Sequence, residues 1–228
     1  MKTLRSGLLA FAILAVGGAA QAQIVSYTFG PTGTPTAAAA STAANIQSAS
    51  SFGSFVGGGA ASGSGTGSNT AGGGGGAYFT ASNWRSADAN YYSFMVTPSS
   101  GYQLSLANFS YYYATSSSGP TSAALFSSAD SYASALANFT MIPAAGTIAA
   151  ADWHQNTASI TLSGITTATT FRLAATGASN AAGSFRIDAI TLNGSVTAIP
   201  EPSTYAAILG AVMLTGVIIR RRRLQHAS

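Results

Sequence analysis

The stretch "TTFRLAAT", residues 169–176, decides the fold. Phe171, Leu173 and Ala175 fall on one parity, and Thr170, Arg172 and Ala174 on the other. A period of two, with aromatic and β-branched residues, is the pattern of a half-buried strand. The pattern recurs on either side. In "ASITL" (158–162) Ala158, Ile160 and Leu162 alternate with Ser159 and Thr161, and in "YYSFMVTP" (91–98) Tyr92, Phe94 and Val96 share one face up to Pro98. "YQLSLANFSYYYA" (102–114) changes phase, from Leu104 and Leu106 to Phe109, Tyr111 and Tyr113, which predicts a bulge near Ala107-Asn108. "GSFRIDAITLNG" (183–194) begins with Phe185 and Ile187 on one face, but Ile190 and Leu192 fall with Arg186 and Asp188. That strand must therefore twist or be covered.

Further strands are expected at Ile24 to Phe29, Ser51 to Val56, Ala77 to Trp84, Ser122 to Ser127 and Ser195 to Ile199, separated by turn formers such as Pro98-Ser-Ser-Gly101. "PTAAAASTAANIQ" (35–47) is the one place in the body where a short helix fits. Many short antiparallel strands imply an all-β body, an antiparallel β-sandwich or jelly roll. Residues 57–76 consist of Gly, Ala, Ser, Thr and Asn alone and read as a flexible low-complexity loop between two strands. No Lys follows a glycine there, so this is not a phosphate-cradling loop.

The chain has 228 residues, of which only 6% are charged, and no cysteine, which excludes disulfides and thiolate metal sites. Its formal charge of +4 is misleading. Lys2, Arg5 and Arg220 to Arg223 lie at the ends, whereas Arg85, Arg172 and Arg186 in the body are outnumbered by Asp88, Asp130, Asp152 and Asp188. The body therefore offers no basic patch for nucleic acid.

The ends read as addresses. Lys2 and Arg5, the apolar run Leu8 to Val16 and Ala20-Gln21-Ala22 form a signal peptide over residues 1–22, with signal peptidase cutting after Ala22. Residues 23–199 are the body. At the other end, Ser203 to Ile219 holds no charge for 17 residues, about 25 Å of helix against a bilayer core of about 30 Å. Arginine stems snorkelling at the interface would make up the difference. The expectation is one short C-terminal transmembrane helix, stopped by Arg220, Arg221, Arg222 and Arg223 on the cytoplasmic side. Pro200 and Pro202 mark an extended stretch before it, and residues 224–228 form a tail.

Pro200-Glu201-Pro202, the apolar segment and the arginine cluster, in that order over residues 200–223, resemble the PEP-CTERM sorting signal of Gram-negative bacteria. The resemblance implies recognition of Pro200, Glu201 and Pro202 by exosortase, a transpeptidase-like membrane enzyme. It also implies a transient inner-membrane anchor with the body in the periplasm, and a final place on the cell surface or in the exopolysaccharide matrix. More loosely, the stretches 101–128 and 169–194 resemble the jelly-roll-like bodies of exported PEP-CTERM proteins.

Chemistry is sparse. His154, in "ADWHQN", follows Trp153 and lies near Asp152, but no nucleophile elbow accompanies it, and it reads as a loop histidine. A glycosidase needs two carboxyls across one bond, and no spacing selects a pair from the four body aspartates. No catalytic residue is assigned and no cofactor is required. A structural Ca²⁺ would use Asp188, with Asp130 or Asp152 as partners; the competing reading pairs Asp188 with Arg172 or Arg186 on an exposed sheet face. Three consecutive tyrosines, 111–113, must point to alternating faces, and Tyr91-Tyr92 does the same. Outward aromatic rings stack on sugars, and Tyr112, Tyr113 and Trp84 are the positions singled out for it. The main reading is an exported structural or adhesive matrix protein. The alternative is a carbohydrate-binding sandwich, and a secreted hydrolase is a remote third.

Overall fold

The computed structural model describes residues 22–29, 41–49, 53–56, 62–67, 76–85 and 90–225. The expected signal peptide, residues 1–21 of it, and Asp88 lie outside the described residues. Thirteen strands and one helix are found among the residues described. In chain order the strands are β1 (Ala22–Tyr27), β2 (Ser41–Thr42), β3 (Ile46–Ala49), β4 (Gly53–Val56), β5 (Ser62–Gly67), β6 (Gly76–Ser82) and β7 (Asn90–Pro98). They continue with β8 (Tyr102–Thr115), β9 (Ser122–Ser127), β10 (Ala137–Thr140), β11 (His154–Ile165), β12 (Thr169–Thr176) and β13 (Ser184–Ala198), followed by helix α1 (Pro202–Gln225).

The strands form two sheets, and every strand pairing within them is antiparallel. The first sheet runs β11-β8-β13-β1-β2, with β6 also pairing β13 and β5 pairing β6. The second runs β10-β9-β12-β7-β3, with β4 also pairing β7. From β7 onward the chain switches sheets at almost every connection. The first switch, from β7 to β8, is a tight turn in which the Tyr102 amide donates to the Ser99 carbonyl at 3.0 Å. Gly101 takes φ +79° there, a left-handed backbone at which Gly carries no Cβ penalty. An all-β sandwich is the result, as the alternation required.

Between the sheets lies an aromatic core. Phe94 of the second sheet stacks on Phe171 beside it and on Phe109 of the first sheet, with centroids 5.2 and 6.3 Å apart. Trp84, Tyr92 and Phe185 form a second triangle with centroids 5.1 to 5.3 Å apart. The Tyr92 hydroxyl donates to the Phe185 carbonyl at 2.5 Å, joining the sheets by a buried hydrogen bond. Each fully buried ring contributes about 1.5–3 kcal/mol of apolar burial, which is the stabilising term available to a chain with no disulfide.

Both phase changes have a structural cause. In β8, Asn108 pairs with Asn193 and Leu106 with Gly194, so Ala107 is the extra residue and Phe109, Tyr111 and Tyr113 return to the core. In β13, Asp188 pairs with Tyr112 and Thr191 with Ser110, leaving two residues opposite one. Ala189 takes φ +44° in that bulge, and Ile190 and Leu192 are turned inward and buried. The face shared by Arg186 and Asp188 ends at the bulge.

Three expectations are corrected. Ser41–Thr42 and Ile46–Ala49 are strands, so the described part of the Ala-rich segment is not helical; its residues 35–40 lie outside the described residues. Ser62–Gly67 of the Gly-rich stretch is not loop but strand, laddered on β6 from Ser62 opposite Ala81 to Gly67 opposite Gly76. The remainder of that stretch, apart from Gly76 at the start of β6, lies outside the described residues.

The third concerns the C-terminal segment. A helix does form there, with Pro202 in its first turn, where a missing N–H costs nothing. It runs through Arg220–Arg223 to Gln225, into the segment expected to be a tail. Among the described residues, however, no helix is long and apolar enough to cross a membrane, so the expected transmembrane helix is not supported. The uncharged run is about 25 Å long against a bilayer core of about 30 Å, and the helix passes straight from it into four arginines.

Candidate functional site

The outer face of the second sheet is assembled from strands distant in sequence. Alternation buries Tyr92, Phe94 and Val96 of β7, Phe171, Leu173 and Ala175 of β12, and Ala123 and Leu125 of β9. The intervening side chains must face outward. Register then sets them in rows. Asn138, Ala124, Ala174 and Tyr91 lie side by side across β10, β9, β12 and β7. On one flank the row is Phe126, Arg172 and Ser93. On the other it is Thr140, Ser122 and Thr176.

The middle row is low because Ala124 and Ala174 end at Cβ. The result is a groove of about 330 Å³, lined by Ala124, Ala174, Phe126, Asn138 and the hydroxyl row, with Phe139 beneath. This is at the lower end of the range for small-ligand sites, about 300–1,000 Å³. Its chemistry is mixed: a phenyl wall, an alanine floor, three hydroxyls and one amide that can each donate and accept.

Beside the groove stands Arg172. Its guanidinium carbon lies 4.4 Å from the centroid of the Tyr91 ring and 3.7 Å from that of Tyr132. Tyr91 comes from the neighbouring strand. Tyr132 comes from the connection between β9 and β10, which opens with a 3-10 turn at Ser128–Asp130. There Ser131 and Tyr132 adopt φ +59° and +62° in succession. Left-handed backbone costs a non-glycine residue about 1–2 kcal/mol, and a bulky side chain there is a true outlier. The turn is held by the Tyr132 amide donating to the Ser127 carbonyl at 2.9 Å, and by the Ser134 amide donating to the Asp130 carboxylate at 2.9 Å. This strained turn carries the Tyr132 ring onto Arg172. The Arg172 Nε is buried with no hydrogen-bond partner among the described residues.

The positions singled out for sugar stacking fare differently. Trp84 is 0% exposed, its indole N–H donates to the Ala81 carbonyl at 2.7 Å, and it belongs to the core. Tyr113 is 2% exposed, with its ring 5.6 Å from that of His154 and its hydroxyl accepting the Ile142 amide at 3.1 Å. Neither ring can meet a ligand. Tyr112 does point out of the first sheet and is half-buried, but it packs against a satellite cluster of Tyr78, Trp153 and Ala114 that also takes in Ile148. Arg186 lies over Tyr78 at 4.9 Å in that cluster. The structure therefore moves the exposed aromatic surface to the other sheet, to Phe126, Tyr91 and Tyr132.

Asp188 is buried rather than exposed, and its Oδ1 accepts the Ala189 amide at 2.7 Å within the bulge. Asp130 and Asp152 do similar work in their own turns, Asp152 accepting the Ala149 amide at 2.7 Å. No group of three or more His, Cys, Asp or Glu that could hold a metal ion is found among the described residues. His154 is no loop residue: it opens β11 opposite Tyr113, half-buried on the core side.

Fold and site together define an antiparallel β-sandwich with a lateral groove on one sheet. No family model and no curated protein matches the chain. Among solved structures it is similar to the tandem CBM22-1–CBM22-2 domain of Paenibacillus barcinonensis Xyn10C, at 13% identity and a TM-score of 0.46, covering 82% of this chain and 50% of that one. It thus spans half the length of that tandem structure. It is also similar to the single CBM22-1 xylan-binding domain of the same protein, at 12% identity and a TM-score of 0.44, covering 78% of this chain and 97% of that one. A third is the K1 cleaved adhesin domain of Lys-gingipain from Porphyromonas gingivalis W83, at 14% identity and a TM-score of 0.42, covering 79% and 99%. Likenesses of this size carry no weight for ligand or role, which must come from the site itself.

Proposed function

We propose that the body is a non-catalytic, polysaccharide-binding β-sandwich and that the groove between Phe126 and the Ser122–Thr176 row holds one sugar unit of the chain. The observation that carries this is the groove's mixed lining. A sugar ring has apolar faces and a hydroxyl rim, and here a phenyl wall and alanine floor meet three hydroxyls and an amide. Tyr91 and Tyr132 extend the aromatic surface for neighbouring units. Titration of the full chain against a panel of soluble polysaccharides tests it. Saturable binding to at least one is expected, weakened about tenfold or more by Phe126→Ala, the loss of about 1.4 kcal/mol. Binding that ignores Phe126 overturns the assignment.

For the C-terminal segment the reading is a sorting signal of the PEP-CTERM kind, read by exosortase after export by the signal peptide and its removal by signal peptidase. This places the sandwich on the cell surface or in the exopolysaccharide matrix, in an adhesive or structural role. In support, α1 leaves Ile208, Leu209, Val212, Met213, Leu214 and Val217 more than half exposed, spread around the helix and not gathered in one stripe. An uncharged run apolar on every side is not built to pack on this body. Mass spectrometry of the exported protein is expected to find a C-terminus near Pro202. A mature protein that still carries Arg220–Arg223 contradicts sorting-coupled cleavage.

A further inference from the structure

We infer that the polysaccharide taken by this face is acidic, built with hexuronic acid units, and that Arg172 receives their carboxylates; this rests on the polysaccharide-binding reading above. An arginine that serves the fold spends its five donors on carbonyls and carboxylates. Arg172 does not. Its guanidinium lies against two tyrosine rings, 4.4 and 3.7 Å from their centroids, and its Nε has no hydrogen-bond partner among the described residues. Ring contacts of this kind hold a guanidinium in one plane without consuming its N–H groups. A buried donor left unpaired is costly, and the turn that brings Tyr132 adds two left-handed residues to that cost. The protein thus tolerates strain to keep one rigid, half-buried cation beside the groove.

Its location fits. Arg172 and Ala174 are successive outward residues of β12, about 6.6 Å apart along the strand. Phe126 is the register neighbour of Arg172 on β9. A sugar seated on Ala124 and Ala174 against Phe126 therefore brings a ring substituent to the guanidinium. A carboxylate matches that planar fork with two parallel N–H···O bonds, which a hydroxyl cannot do.

The test compares one polymer in two forms: polygalacturonate and the same material with its carboxyls reduced to primary alcohols. Full-length protein is titrated with each at moderate salt. The wild type is expected to bind the acidic form about tenfold or more tightly than the reduced form. Arg172→Gln should bring the two affinities together while binding to the reduced polymer persists. Arg172→Lys, which keeps the charge but not the fork, should lose most of the preference. The C-terminal arginines are present in every variant, so their general attraction for a polyanion cancels when variants are compared on the same polymer, and the fall in the acidic-to-reduced ratio on Arg172→Gln reads Arg172 alone. Unchanged thermal midpoints establish that the variants fold. Equal wild-type affinity for both forms overturns this inference and leaves the polysaccharide reading standing. A preference that survives Arg172→Gln overturns the role of Arg172. Binding to neither form overturns the inference, and silence across the wider panel removes the reading beneath it as well.

Discussion

The tyrosines carry the molecule's main residue-level signature. Burial pushes the Tyr27, Tyr92, Tyr111 and Tyr113 hydroxyls above the ordinary phenol value, because each charged form would sit in an apolar surround. For Tyr111 and Tyr113, hydrogen bonds from the Asn156 side chain and the Ile142 amide pull the other way without winning. The consequence for stability has a definite sign. Above about pH 10 the unfolded chain loses phenol protons that the folded chain keeps. The stabilisation is therefore complete below that pH and is lost as pH rises through the folded values. Urea midpoints are expected to be flat from neutrality to about pH 9.5 and then to fall, by at most about 1.4 kcal/mol per pH unit for each buried tyrosine. A flat profile up to pH 11.5 would contradict this core. Residue identity in the sequence already held part of the answer. Tyr113 shares parity with Phe109, so whatever buries one buries the other, and Tyr112 was the single outward member of its run. Trp84 gave no such sign, since it stands just beyond the end of β6 and its burial depends on Tyr92 and Phe185, which lie in other strands.

At the scale of elements, alternation in 91–98 and 169–176 was enough to locate β7 and β12 and to say which side faces in. The break in the 102–114 pattern located a bulge to within a residue. The Gly-rich β5 was not legible, because Gly and Ser supply no pattern of apolar faces and its pairing with β6 is a backbone matter. The two long strands β8 and β13 depend on a glycine where they cross the bulge. A Cβ placed at Gly194 would collide with the Ser105 carbonyl oxygen, a backbone atom that cannot swing aside, and would press on the Leu106 Cα at 3.0 Å. Gly194→Ala is therefore expected to destabilise the protein by about 1–3 kcal/mol, read as a lower urea midpoint. A neutral effect would mean that β8 and β13 are not registered as described. The helix α1 was legible in extent but not in consequence. Its residues form a helix, but among the described residues no helix is long and apolar enough to cross a membrane.

At the scale of the whole molecule, the groove escaped local reading for a topological reason. Its floor and walls come from β9, β10 and β12, joined side by side only because the chain alternates between sheets. The sequence marks Arg172 as outward on its strand, yet nothing local says that Phe126 will be its neighbour or that Tyr132 will reach it from a loop. The central claim is that this outer face, and not the aromatic cluster around Tyr112, is where a polysaccharide binds. Ala174→Trp tests it most directly. The side chain points away from the core, large aromatics suit an exposed strand position, and the indole fills the groove. Calorimetric titration of the full chain with whichever polysaccharide the wild type binds is predicted to show binding reduced at least tenfold, with the thermal midpoint unchanged. Undiminished binding by this variant would contradict the account.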